Sequence, residues 1–138
     1  MPMDAAAVAR KTKLAAAARP LVLGATPEDA AALSGTRDAA IPTSPDGKHD
    51  WIVLYVANRA SLEAALPGAS AALDSPGTLW IAYPKGSSKL QTDLTRDQGW
   101  DALKERDLMW LTLISIDETW SAFSLRHYKP GEARQTFR

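Results

Sequence analysis

The sequence of 138 residues contains no cysteine, which excludes disulfides, thiolate nucleophiles and sulfur-ligated metal sites. Any catalysis must therefore rest on oxygen and nitrogen groups, and the composition fits a reducing compartment. Nor is there an excess of either charge. Lys plus Arg and Asp plus Glu each number 16, so no global field draws in nucleic acid or an anionic membrane. The basic group Arg10, Lys11 and Lys13 has no interleaved aromatics and reads as a solvated helix face. No apolar run approaches the roughly 20 residues of a spanning helix. The alanine-rich start from Ala5 to Ala18 is broken by those three cations and makes a poor signal peptide. A cytoplasmic protein is expected. Histidine is scarce, with only His49 in a polar stretch and His127 after the last apolar run. Neither has carboxylates at a ligating spacing, so both are expected on the solvated surface and no metal site is expected.

What is present is a 46% hydrophobic content, enough for one globular domain with a continuous core. The expected division is an N-terminal helix or arm over residues 1–19, a single α/β domain over residues 20–128 and a tail over residues 129–138. Ala5 to Arg19 is rich in helix formers and should be stopped by Pro20. Leu21 to Leu23 reads as a short strand, followed by a turn at Gly24-Ala25 and a helix start at Thr26-Pro27-Glu28-Asp29, with Thr26 as N-cap. Gly35 should stop that helix. Ala39 to Ile41 reads as a short edge strand before Pro42, Pro45 and Gly47 force a loop.

Trp51 to Val56 is almost unbroken in its apolar character, as expected of a central strand covered on both faces. Asn58 caps a helix whose apolar positions Leu62, Ala65, Leu66, Ala69 and Leu73 recur at helical spacing, and Pro67-Gly68 should bend or interrupt it. Ser75-Pro76-Gly77 turns back into a second buried strand, Thr78 to Tyr83. Thr95 and Gln98 have capping-box spacing for a helix carrying Trp100 and Leu103. Leu108 to Ile116 and Trp120 to Leu125 then form a hairpin across Asp117-Glu118-Thr119. Most of the five tryptophans should be core, with Trp120 the candidate for a partner surface. Strands joined through helices imply right-handed crossovers and a mostly parallel sheet, to which the C-terminal hairpin adds one antiparallel strand. The expected fold is an α/β three-layer sandwich.

The order strand, Gly-containing turn, helix, strand, helix, strand and final hairpin resembles the Rossmann-like fold of S-adenosylmethionine-dependent methyltransferases. The resemblance covers roughly Leu21 to Arg126. Three ordered motifs, Leu79-Trp80-Ile81-Ala82-Tyr83-Pro84-Lys85, Thr92-Asp93-Leu94-Thr95 and Asp117-Glu118-Thr119-Trp120-Ser121, also resemble the signature of a small bacterial family of unknown function. The resemblance implies a methyltransferase-like core. It also implies a Gly-rich cofactor turn after the first strand and a ribose-binding acid at the end of the second. Here the turn Leu23-Gly24-Ala25-Thr26 has one glycine, and the weak second strand runs into Pro42-Thr43. Asp46 and Asp50 lie too close to the following strand to replace the acid.

In a parallel sheet all forward strands end on one edge, where open α/β folds take ligands. That rim should gather Gly24 and Thr26, Asn58 and Arg59, Tyr83, Lys85, Ser87, Ser88, Lys89 and Asp93, and the hairpin tip with Asp117 and Glu118. Lysines, serines and backbone amides at Gly86-Ser87-Ser88 suit a phosphate or carboxylate. A structural alternative has Lys85 or Lys89 pairing with Asp117 or Glu118 to pin the loop to the hairpin. Pro84 to Lys89 is not a P-loop, and Gly68 to Ala72 lies in a helical pattern and not at a nucleophile elbow. The favoured expectation is a noncatalytic protein without a cofactor, binding a small molecule or protein partner at the rim. One alternative is a methyltransferase holding S-adenosylmethionine near Gly24, Thr26 and Asn58, and another is a purely structural or interaction protein.

Overall fold

Side chains of an extended chain point alternately to opposite faces, so a strand apolar at every position needs cover on both sides. The computed structural model, which describes residues 4–37, 40–85, 93–95, 99–105 and 108–133, meets that demand. Its elements are α1 (Ala5–Thr12), a 3-10 turn (Leu14–Ala16), β1 (Pro20–Leu23), α2 (Pro27–Ser34), β2 (His49–Tyr55), α3 (Arg59–Ala72), β3 (Leu73–Pro84), a second 3-10 helix (Asp101–Glu105), β4 (Leu108–Ser115) and β5 (Trp120–His127). Ile52 and Leu54 of β2 pack with Leu62, Leu66 and Ala69 of α3 on one face. Trp51, Val53 and Tyr55 pack with Val8, Leu14 and Leu33 of the N-terminal segment and α2 on the other. The result is an α/β sandwich of three layers.

The sheet order is β1-β2-β3-β5-β4. β1, β2 and β3 are parallel, with Val22, Val53 and Trp80 in register. β5 runs antiparallel to both β3 and β4, so it is inserted between them and β4 shares the forward direction at the far edge. The expected uniform right-handed crossovers are not observed. α2 and α3 cover opposite faces, yet both connections advance the chain in the same direction along the sheet. Two such connections have opposite hands. The rule assumes a helix that packs straight back into the next strand. Here a long loop separates α2 from β2 and passes the outer edge of β1, where the Pro42 carbonyl accepts the Val22 N–H at 3.0 Å.

That loop replaces the expected edge strand. Ala40 and Ile41, the described part of the candidate, are not in a strand, because Pro42 and Pro45 have no N–H to extend a ladder. The N-terminal helix ends at Thr12 instead of Arg19: Lys13 adopts φ 62° and donates to the Ala9 and Arg10 carbonyls. The reversal lets Leu14 and Ala17 bury against the sheet and leaves the Thr12 carbonyl to accept the Trp51 indole N–H at 3.1 Å. α3 continues through Pro67, since its buried residues Leu62, Leu66, Ala69 and Ala72 lie on both sides of the missing bond. Ser75-Pro76-Gly77 belongs to β3 as an irregularity between the pairs His49–Leu73 and Trp51–Thr78. Of the helix expected from Thr95, the described part is the 3-10 helix, and Gln98 lies outside the described residues. His49 is buried and His127 half-buried, each with a backbone partner, in place of the expected solvated surface. His49 is 2% exposed, its Nε2 accepting the Asp46 N–H and its Nδ1 facing the Arg19 carbonyl, each at 3.0 Å. His127 Nε2 lies 3.0 Å from the Leu73 carbonyl. No described helix is long and apolar enough to cross a membrane.

Two glycines separate backbone necessity from chance. Gly24 has φ +74°, and a Cβ there would lie 2.4 Å from the Tyr55 carbonyl oxygen, whereas a Cβ on Gly68 in α3 meets nothing within 4 Å. Gly24→Ala is expected to cost at least about 2 kcal/mol through strain and displacement of β2. Gly68→Ala should stabilise by about 0.4–1 kcal/mol by restricting the unfolded chain. Urea denaturation of the two variants checks both signs, and a neutral Gly24→Ala would contradict the packing of the turn on Tyr55.

Candidate functional site

The forward strands deliver four chain segments to one edge: the turn after β1, the start of α3, the segment after β3 and the β4–β5 hairpin. α2 and α3 leave toward opposite faces, so the ends of β1 and β2 correspond to the place where open α/β sheets accept ligands. Gly24 lies there, directly after β1. The glycine that the fold would use to admit a ligand close to the backbone is approached instead by Tyr55 of the chain itself. Thr26 Oγ1 accepts the Asp29 N–H at 3.1 Å. Asn58 Oδ1 accepts both the N–H and the hydroxyl of Ser61 at 2.8 Å. Both acceptors thus serve as helix caps, which explains why these residue types follow the two strands.

Two of the three motifs are joined directly at this rim, the end of β3 and the hairpin tip. After Pro84, the Lys85 N–H donates to the Thr119 carbonyl at 2.7 Å and Nζ donates to Ser115 Oγ at 2.6 Å. Lys85 therefore ties the end of β3 to the hairpin. At the tip, Asp117 Oδ1 accepts the N–H groups of Thr119 and Trp120, both at 2.8 Å, an Asx turn that sets the reversal. Glu118 is exposed beside it. Asp93 Oδ1 accepts the Arg59 N–H at 2.9 Å, Leu94 is fully buried, and the Thr95 carbonyl accepts the Trp100 indole N–H at 2.6 Å. The Arg59 guanidinium bridges Asp101 at 2.8 Å and Glu63 at 3.3 Å, pairs exposed enough to contribute little individually.

Tyr83 is placed differently from the other rim candidates. Its ring is buried in the core on the α3 face, stacked on Phe123 at 5.4 Å and edge-on to Trp100 at 5.3 Å. Ser87, Ser88 and Lys89 lie outside the described residues. Among the described residues, no cluster of three His, Asp or Glu side chains is arranged to hold a metal ion.

Sequence reasoning missed the group on the α2 side. Burial, then Asp117 and Glu28, raise the Asp29 carboxyl above its ordinary range. Burial, then Asp29 and Asp117, push the Tyr55 phenol upward. Trp120 is half-buried and stands edge-on to the Tyr55 ring at 5.1 Å. Two carboxylates and the phenol thus influence one another electrostatically on this part of the rim. The signal was present in the parallel register, which places the last residue of β2 beside the helix start after β1. In the sequence Asp29 reads only as part of the helix start.

Asp117→Asn keeps the oxygen that accepts Thr119 and Trp120 while removing the charge. The Asp29 pKa should fall in this variant yet stay above the ordinary carboxylate value, since burial is the larger cause. Carboxyl-detected NMR titration of both proteins measures it, and an unchanged Asp29 would show that the two carboxylates do not interact.

No protein-family model and no curated protein sequence matches the chain. Solved structures do. A ribosomal protein L11 methylase from Lactobacillus delbrueckii subsp. bulgaricus superposes with a TM-score of 0.52 at 15% identity, covering 90% of this chain and 66% of the methylase. A LepI variant in complex with SAH and a substrate analogue gives a TM-score of 0.54 at 12% identity, covering 91% of this chain and 40% of LepI. A structure described as a pericyclic reaction enzyme gives the same values. The chain thus spans about two-thirds of the first neighbour's length and less than half of the others'. At these identities the likeness concerns architecture, and it establishes that the chain has a methyltransferase-like α/β fold.

Proposed function

We propose that this protein is a noncatalytic binding module on a methyltransferase-like fold, taking a small ligand or a protein partner at the strand-end rim. The approach of the Tyr55 carbonyl to Gly24 carries the reading. In a cofactor site, a glycine at this turn lets the backbone come close to the ligand. Here the space is taken by β2. Two further features agree. The strand that would present a ribose-binding acid is replaced by the loop at Pro42, and the Thr26 and Asn58 acceptors serve as helix caps. The group formed by Asp29, Asp117 and Tyr55 favours a cationic portion on the ligand or partner.

A second reading, an S-adenosylmethionine-dependent methyltransferase, is favoured by one observation: nine-tenths of the chain superposes on a methylase. Calorimetry and thermal-shift titration with S-adenosylmethionine and S-adenosylhomocysteine separate the two. At millimolar ligand the first reading expects neither heat nor a change in Tm. Saturable binding weakened by Asn58→Ala would establish the second reading in its place.

A further inference from the structure

A second concave site lies at the opposite edge of the sheet, where β1 and β2 begin. It is a cleft of ≈ 280 Å³ whose lining includes Arg19, Arg37, Pro42, Asp46 and His49. The chain has assembled it from three separate segments. Arg19 immediately precedes β1, Arg37 follows α2, and His49 opens β2.

Both guanidiniums are oriented by backbone carbonyls. Arg19 donates from Nε to the Lys48 carbonyl at 2.8 Å and from Nη2 to the Asp46 carbonyl. Arg37 donates from Nη1 to the Leu14 carbonyl at 2.5 Å and from Nη2 to the Ala17 carbonyl at 2.8 Å. A guanidinium carries five N–H donors, so each arginine retains donors after these bonds. Among the described residues neither guanidinium is ion-paired with a carboxylate. The nearby acids are otherwise arranged. Both Asp50 oxygens accept backbone amides, from Ala18 and Arg19, each at 2.8 Å. Asp46 lines the cleft but meets Arg19 through its carbonyl. Lys48 Nζ donates away from the cleft, to the Ala71 carbonyl at 2.6 Å.

His49 acts here as a positioning residue. Its two ring nitrogens engage the Asp46 N–H and the Arg19 carbonyl, locking together the two backbone segments that carry the rim of the cleft. Arg19 Nη1, Arg37 Nε and the second protons of the engaged Nη groups are the donors left over, and on two guanidiniums lining one small cavity they suit a carboxylate or phosphate. The volume lies at the lower end of small-molecule sites, roughly 300 Å³ and upward. We infer that this cleft binds the oxyanion group of a small metabolite, a carboxylate or a phosphate, between Arg19 and Arg37.

The test is arginine Nε–Hε NMR of the full chain titrated with sodium phosphate and, separately, sodium acetate, with sodium chloride holding ionic strength constant. Saturable shifts of the Arg19 and Arg37 signals with either anion, while Arg59 and Arg126 stay still, are expected. The anion that produces them identifies the head group. Arg19→Gln removes an exposed fork with little risk to folding, and Arg37→Lys keeps the charge while losing the fork. Each should weaken binding by about tenfold or more, the loss of one charge-assisted interaction. Should Arg37→Lys not fold, Arg19→Gln alone decides the outcome. No response to either anion, equal displacement of all four arginines, or unchanged affinity in Arg19→Gln would overturn the proposal.

Discussion

The double burial of β2 is the constraint on which the remaining structure depends. None of its residues is exposed, so it needs a neighbouring strand on each side and a helical layer on each face. β1 and β3 supply the first requirement. α3 supplies one layer, and α1, the 3-10 turn and α2 supply the other. This requirement puts α2 and α3 on opposite faces, so the chain diverges at the ends of β1 and β2. It also explains why the N-terminal segment folds onto the sheet instead of standing apart: Val53 and Trp80 would otherwise face water, at a cost of roughly 25 cal/mol per Å² of apolar surface.

Features decided by neighbours in sequence were legible without coordinates. Thr26 and Asn58 cap their helices, and the apolar run of β2 is central. The hairpin closes across Asp117 to Thr119 with β4 in the forward direction. What escaped was decided by packing between distant segments. Lys13 has no residue preference for φ 62°, and only the burial of Leu14 beyond it requires the reversal. His49 looked polar because its stretch is polar, yet the parallel start of β1 brings a carbonyl to its ring. Pro67 carried the local signal of a break, which burial on both sides of it overrode. The candidate site divided in the same way. Topology brings the described strand-end segments to one edge, but it does not reveal that Tyr83 turns into the core or that Asp29 comes under the influence of Asp117.

The motifs that resemble a family signature have physical roles that need no ligand. The aspartate at the hairpin tip holds two amides, the lysine after β3 reaches a hydroxyl and a carbonyl of the hairpin, and Asp93 fastens the start of α3. Fastening of this kind restrains the described segments that it joins. Rigidity is a precondition for selective binding, because a loop ordered in advance loses less entropy when a ligand arrives. The structural and the binding readings of the same residues are therefore compatible. The cap residues shape the edge, and Asp29, Asp117 and Tyr55 add an electrostatic cluster on its α2 side.

The balanced composition conceals a separation of charge. Equal numbers of acids and bases suggested a chain without electrostatic preference, but the fold sorts particular members by strand end. β2 rises about 3.3 Å per residue, which sets its two ends roughly 20 Å apart. At that distance, charges exposed to water at physiological salt are largely screened from one another, because the Debye length is about 8 Å. The carboxylates around Tyr55 and the guanidiniums around His49 thus act largely independently of one another. A ligand responds to the field where it docks and not to the net charge of the chain. The proposed rim and the proposed cleft thus lie at opposite ends of the strand that requires burial on both faces.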